Sequence, residues 1–306
     1  MGPAPENAVM SAWPQLGITP GPVLRVFGMR RSGNHAVINW LARNAPGGRS
    51  LFFNNCTPGR KPFETYRAVE IDGVQVAGDG GDPVKLAGRA GDGTALILSY
   101  EDAMPNERRK RPVSVGVDAA AISHDVVICR GFLNWAASLL KKVQGNPAFS
   151  APQRVAIVLK ALGGYSSMLE LAMGEATPGF VVIRYEPWMT DAGYRAGLLD
   201  RLGFEARDDG LGEVQRYGNG SSFQAEAGAV EELNTLERWK EMRDDPEYRI
   251  AMWLAAQDEA LCGKLEKVYP ADAAQLVRLR QSGTAGKAPR NDSAQDAAPA
   301  QILRRN

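Results

Sequence analysis

The sequence predicts an α/β fold: a three-layer α/β/α sandwich on a mainly parallel sheet, with a helical C-terminal part. Three observations predict it. Short continuous apolar runs recur, as in VLRVF at 23–27, ALILSY at 95–100, DVVIC at 125–129 and GFVVIR at 179–184. Such runs suit strands buried on both faces of a parallel sheet. Segments with apolar residues three and four apart follow several of them, as βαβ units require. Beyond about residue 228 only the helical spacing remains.

Taken in order, residues 1–20 are rich in Pro, Gly and Ala and read as a flexible arm. The run at 23–27 leads into a tight loop over 28–35, and AVINWLARNA then carries Val37, Ile38, Leu41 and Ala42 at helical spacing. LFFN at 51–54 is a second strand candidate. Residues 57–93 hold many Gly, Asp and Pro with short alternating stretches, which predicts hairpins or a surface insertion. The charge run ERRKRP at 107–112 reads as a solvated loop. A helix follows the strand at 125–129, a long helix is expected over 152–174, and another near 188–203 follows the strand at 179–184. Helices are then expected over 228–243 and 246–266. The main domain spans 21–270, and 271–306 is expected to be a largely disordered tail, polar and low in aromatics from about 282. No internal repeat is present.

Composition excludes several function classes. The 306 residues include 36 Lys and Arg against 35 Asp and Glu, a formal net charge of +1. No global field draws the chain to nucleic acid. Cys56, Cys129 and Cys262 are far apart and odd in number, which supports neither a disulfide framework nor a zinc site. With only His35 and His124, a histidine-rich metal centre is excluded as well. The N-terminus shows no basic region followed by an apolar core, so no signal peptide is read there. No apolar run reaches the roughly 18 residues of a membrane span. A cytoplasmic chain with no membrane span is expected.

The loop after the first strand carries the chemistry. A strand-to-helix loop presents backbone N–H groups that lack helical partners, and the helix dipole adds positive charge there. Oxyanions bind such places. Gly28 and Gly33 permit close backbone approach, Arg30 and Arg31 are fixed cations, and Ser32 and Asn34 are short polar side chains. An ordinary βα turn with solvated arginines is the plain alternative. GxxxxGK[ST] is absent, which disfavours an ordinary ATPase or GTPase.

Arg31-Ser32-Gly33-Asn34, followed by His35, resembles the loop of sulfotransferases that binds the 5′-phosphosulfate, and is close to bacterial members with an RRSGNH loop. Many members place an adenine-stacking aromatic where this chain has Ala36. The resemblance strengthens at 129–138, CRGFLNWAAS. In sulfotransferases an arginine at a strand end and a serine eight residues later hold the donor's 3′-phosphate, and Arg130 and Ser138 stand in those places. The arginine fork suits phosphate. VVIRYEPWMTDAGYRAGLLDRLGF resembles the family's strand-then-helix segment, with Arg184, Tyr185 and Glu186 in packing and positioning roles. Arg216, Gly218 and Ser221 lie in a Gly- and Ser-rich segment similar to the late loop that closes over the 3′-phosphate; a flexible connector is the alternative. Arg238-Trp239-Lys240 could also close a site, although Trp239 reads equally as a core residue. The resemblance covers roughly 22–265.

The resemblance implies a P-loop NTPase-like fold and a sulfuryl transfer from 3′-phosphoadenosine 5′-phosphosulfate, a co-substrate, to a hydroxyl or amine, without a metal. Arg30, Arg31, Ser32, Gly33, Asn34 and His35 would hold the 5′ side of the donor, with Arg31 catalytic through its charge. The acceptor base is expected directly after ALILSY: Glu101 first, Asp102 second, with His35 as a further catalytic candidate. A carboxylate there is also a common turn residue. Acceptor specificity is expected in the loops at 55–93 and 102–120, for a carbohydrate or small metabolite. The alternatives are a small-molecule kinase with an unusual P-loop and a non-catalytic nucleotide-binding protein.

Overall fold

The computed structural model describes residues 13, 15–105, 112–174, 179–213, 223–224 and 228–284. Seven strands form one sheet: β1 (Val23–Gly28), β2 (Ser50–Asn54), β3 (Ala68–Ile71), β4 (Val74–Gly78), β5 (Ala95–Glu101), β6 (His124–Cys129) and β7 (Phe180–Arg184). Their order is β4-β3-β2-β5-β1-β6-β7. Strands β2, β5, β1, β6 and β7 run parallel, and β3 and β4 extend one side as an antiparallel hairpin. That hairpin accounts for the alternating stretches within 57–93.

Side chains of the central strands alternate between two cores. Val23 and Phe27 of β1 and Leu96, Leu98 and Tyr100 of β5 enter one core. Leu24, Val26, Ala95 and Ile97 enter the other. A sheet apolar on both faces must be covered twice. α1 (Asn34–Arg43), α5 (Tyr185–Thr190) and α6 (Ala192–Leu202) cover one face. α2 (Pro83–Ala90), α3 (Phe132–Gln144), α4 (Ala151–Met173), α8 (Pro246–Ala255), α9 (Glu259–Val268) and α10 (Pro270–Thr284) cover the other. The fold is therefore the mixed α/β sandwich the sequence predicts.

Four local readings are corrected. The expected single helix over 228–243 is a short 3-10 turn, Val230–Glu232, an extended strap, and only then α7 (Arg238–Met242). The backbone of the strap accepts from the side chains of Arg130 and of Asn134 on α3, and those tertiary contacts override helix propensity. The helix expected over 246–266 is two helices, divided where the Asp258 side chain accepts from Leu261 N–H at 2.9 Å and caps α9. Within the expected tail, Pro270–Thr284 form α10, with Ala273 and Leu276 buried. Within the expected arm, Trp13, Leu16 and Ile18 are buried against the main core. α4 adds a feature that a search for uninterrupted runs misses: its 23 residues are long and apolar enough to cross a membrane by length and composition alone. It packs on the sheet and on α3, α8 and α9.

Candidate oxyanion-binding site

The site lies at the C-terminal ends of β5, β1 and β6, the edge where open α/β sheets hold their ligands. β1 ends at Gly28, which is in register with Glu101 of β5 and Ile128 of β6. The loop over 29–33 therefore rises between the ends of two neighbouring strands.

Two glycines shape this loop. A Cβ on Gly28 would lie 2.1 Å from Asn34 Oδ1, and a Cβ on Gly33 would lie 2.2 Å from the Tyr185 ring. Gly33 has φ +90°, a conformation side chains rarely adopt. Asn34 opens α1 and donates its amide to Met29 C=O at 3.2 Å, closing the loop on itself. α1 has neither a side-chain cap nor an acidic residue in its first turn, and the positive end of its dipole faces the loop. Arg31 has φ +72°, unusual for a residue with a side chain. That backbone turns its guanidinium toward α3, where Nε donates to Ser138 Oγ at 3.4 Å.

Arg130 follows β6 and is 2% exposed. It donates through Nη1 to Arg31 C=O at 3.0 Å and through Nη2 to Thr235 C=O. Its guanidinium lies 5.0 Å over the Tyr185 ring, and its Nε has no hydrogen-bond partner among the described residues. Ser138 is fully buried, and its hydroxyl also accepts from Arg238 Nη1 at 3.0 Å. Two guanidinium groups thus meet at one serine, and the third, Arg130, is bonded to the backbone of Arg31. Burial, then Arg130, holds Arg31 below its ordinary value, and burial does the same to Arg130. Burial and then Arg130 push Arg238 down to about 9, still fully charged at neutral pH. Like charges held this close out of water are costly without a counter-charge. The arrangement suits an anion bearing more than one charge, and the unpartnered Arg130 Nε is a donor such an anion would use.

Two buried carboxylates stand behind Arg130. Glu186 Oε1 accepts from Gly131 N–H at 2.8 Å, and Asp272 Oδ2 accepts from Leu133 N–H at 3.2 Å. Together they cap α3, the helix that carries Ser138. Burial raises both, and Asp272 rises to about 6, with Glu186 adding to the effect.

On the other side of the loop, Glu101 ends β5. Burial and then Asp102 raise its carboxyl, and Arg30 and Arg67 oppose the rise. Asn55, itself at φ +50°, donates to Glu101 Oε2 at 3.4 Å. Asp102 accepts from Arg30 N–H at 2.8 Å and pairs with the Arg30 guanidinium. His35 is pushed down to about 4 by burial, with Arg31 and Arg67 adding to the effect, so its ring is neutral at pH 7.

The structure thus brings together Arg31, Ser32, Gly33, Asn34, Arg130 and Ser138, and sets Glu101 and His35 beside them. It does not bring the Arg30 side chain to Ser138: that guanidinium is largely exposed and engaged with Asp102. Arg216, Gly218 and Ser221 lie outside the described residues. Asn134, Thr235 and Asp272 were not legible as site residues. Arg238 had one signal, its place in the Arg238-Trp239-Lys240 run that could close a site.

These features define an α/β protein with a buried cluster of arginines at the C-terminal end of its sheet. No protein-family model and no curated protein match the chain. Among solved structures it is similar to a mouse sulfotransferase complexed with PAP, with 13% identity and a TM-score of 0.43, over 79% of this chain and 94% of that one. At this similarity the comparison assigns no residue.

Proposed function

We propose that the protein is a sulfotransferase that takes its sulfuryl group from 3′-phosphoadenosine 5′-phosphosulfate. The observation that carries the proposal is the buried cluster of Arg31, Arg130 and Arg238 beside the N-terminus of α1, in which Arg31 and Arg238 both bond the Ser138 hydroxyl and Arg130 bonds Arg31 C=O. A nucleotide with phosphate at both its 3′ and 5′ positions is the kind of anion that needs two linked cationic subsites. Arg130, Ser138 and Arg238 would take the 3′-phosphate. The 29–34 loop and Arg31 would take the 5′ side.

In the reaction an acceptor O–H or N–H attacks sulfur, and the bond from sulfur to the 5′-phosphate oxygen breaks. The products are the sulfated acceptor and adenosine 3′,5′-bisphosphate. Charge grows on the departing phosphate, where Arg31 and the loop N–H groups stabilise it. An arginine keeps its proton near pH 7, so that role is electrostatic. The acceptor proton goes to Glu101. Burial and then Asp102 raise this carboxyl, which favours its taking a proton, and Arg30 and Arg67 oppose the rise. Asp102, the second candidate, is engaged by Arg30 and serves the loop instead. The acceptor is a small molecule or a carbohydrate.

The test is thermal unfolding with adenosine 3′,5′-bisphosphate and with ATP. At 100 times its dissociation constant a ligand adds about 2.7 kcal/mol, which is roughly 5 °C for a chain of this size. A shift with the bisphosphate alone supports the donor site, and labelled donor then screens acceptors. A shift with ATP alone replaces the reading with a kinase, and no shift with either removes it.

A further inference from the structure

The strap between the Val230–Glu232 turn and α7 lies along α3 at successive turns of that helix. Just before the helix, Arg130 donates to Thr235 C=O. One turn on, the buried Asn134 uses both ends of its amide: Nδ2 donates to Leu236 C=O at 2.8 Å, and Oδ1 accepts from Trp239 N–H at 3.3 Å. A turn later Ser138 accepts from Arg238 at 3.0 Å. Arg238 therefore sits between two backbone groups that Asn134 holds. Residues four apart share a helix face, so Asn134 and Ser138 present one continuous polar edge to the strap. Phe223 completes the setting, with the Arg238 guanidinium 5.1 Å from its ring centroid.

A buried arginine beside two others leaves the cluster unless something fixes it there. Arg31 is fixed by its own loop and Arg130 by the end of β6, whereas Arg238 comes from a five-residue helix at the end of an extended segment. We infer that Asn134 is the positioning residue that delivers Arg238 to the anion site, so that the strap is a working wall of that site. The inference rests on the donor reading above and adds a residue to it.

The experiment measures the dissociation constant of adenosine 3′,5′-bisphosphate for the full chain, for Asn134→Leu, for Arg238→Ala and for the double variant. Measurements run at about 50 and 200 mM KCl, with thermal midpoints recorded alongside. Each single variant is expected to bind roughly 10-fold more weakly, a typical loss for one charged contact. The double variant should be no more than about twofold weaker than Arg238→Ala alone, because both changes remove the same contact. Asn134→Leu should also lose salt dependence to the same extent as Arg238→Ala, which a merely structural role would not cause. If Asn134→Leu does not fold, Asn134→Asp replaces it. It keeps the acceptor for Trp239 N–H and loses the donor, and it should give a smaller loss that is again not additive with Arg238→Ala. Wild-type affinity in the Asn134 variant, or losses that multiply in the double variant, overturn the inference and leave the donor reading standing. No binding by the wild-type chain overturns both.

Discussion

Replacing Gly33 by alanine tests whether the loop and the Arg130 pocket are one unit. Gly33 stands at φ +90°, and its missing Cβ would sit 2.2 Å from one carbon of the Tyr185 ring and 2.5 Å from the next. The left-handed backbone costs an alanine about 1 kcal/mol. Overpacking a buried contact costs about 1–3 kcal/mol more. The ring has little room to yield, because Tyr185 is 2% exposed and its ring packs against Trp188 at 5.6 Å and under the Arg130 guanidinium at 5.0 Å. Moving the ring therefore moves Arg130. Gly33→Ala should lower unfolding stability by about 2–4 kcal/mol and weaken adenosine 3′,5′-bisphosphate binding at least 10-fold in the fraction that stays folded. Urea unfolding and isothermal calorimetry read the two quantities. A loss of stability with unchanged affinity would mean that Tyr185 yields without Arg130 and that the coupling is absent. No loss in either would refute the packing argument itself.

Other changes separate function from stability. Glu101→Gln should leave bisphosphate affinity within about twofold and abolish turnover of labelled donor; full turnover would remove Glu101 as the base. Arg238→Met takes one charge out of a crowded buried cluster, so the ligand-free chain should gain about 1 kcal/mol in urea unfolding, while bisphosphate binding weakens about 10-fold. A destabilised variant would show that Arg238 holds the fold rather than the anion. Asp272 sets a pH dependence. Its carboxyl stands at about 6 in the folded chain against an ordinary 3.8, so the folded state binds more protons between those values. Its contribution is therefore fully present below about pH 4 and lost as the pH rises through 6, a change of roughly 3 kcal/mol. Asp272→Asn should flatten that part of the stability profile, measured by urea unfolding from pH 4 to 7. An unaltered profile would place the titration elsewhere.

The strands and the first loop were legible because each is a local pattern: an apolar run of fixed length, or glycines and cations within seven residues. Arg130 and Ser138 were legible because a strand end and one helix place them. Asn134 carried no mark, since an amide on a helix is ordinary until the backbone it holds is known. The strap read as helix for the same reason: its residues favour helix, and the bonds that extend it come from α3, about 100 residues away. Asp272 lay in what read as a tail, although its carboxylate caps the helix that bears Ser138. Sequence spacing exposes the parts of a site that one element presents and hides those supplied by a partner element.

That division has a physical basis in how the charges are held. A loop at a helix N-terminus makes an oxyanion site from backbone alone. A second phosphate needs side-chain cations, and gathering three guanidiniums in one buried cluster costs free energy in the absence of an anion. Local structure cannot hold such an arrangement. The far segments do: Glu186 bonds Gly131 N–H from the end of β7, Asp272 bonds Leu133 N–H from α10, and Thr235 accepts from Arg130 on the strap. Thr235 bonds Arg130 itself, and the two carboxyl groups bond the backbone just after it. Strain in the cluster is thus balanced by contacts that reach to the C-terminal helix. Anion binding should relieve that strain and tighten the contacts together. Bisphosphate should therefore slow hydrogen exchange at Gly131 and Leu133, two amides bonded to those carboxylates, as well as in the 29–33 loop. Slowing confined to the loop would show that the two halves of the site act separately.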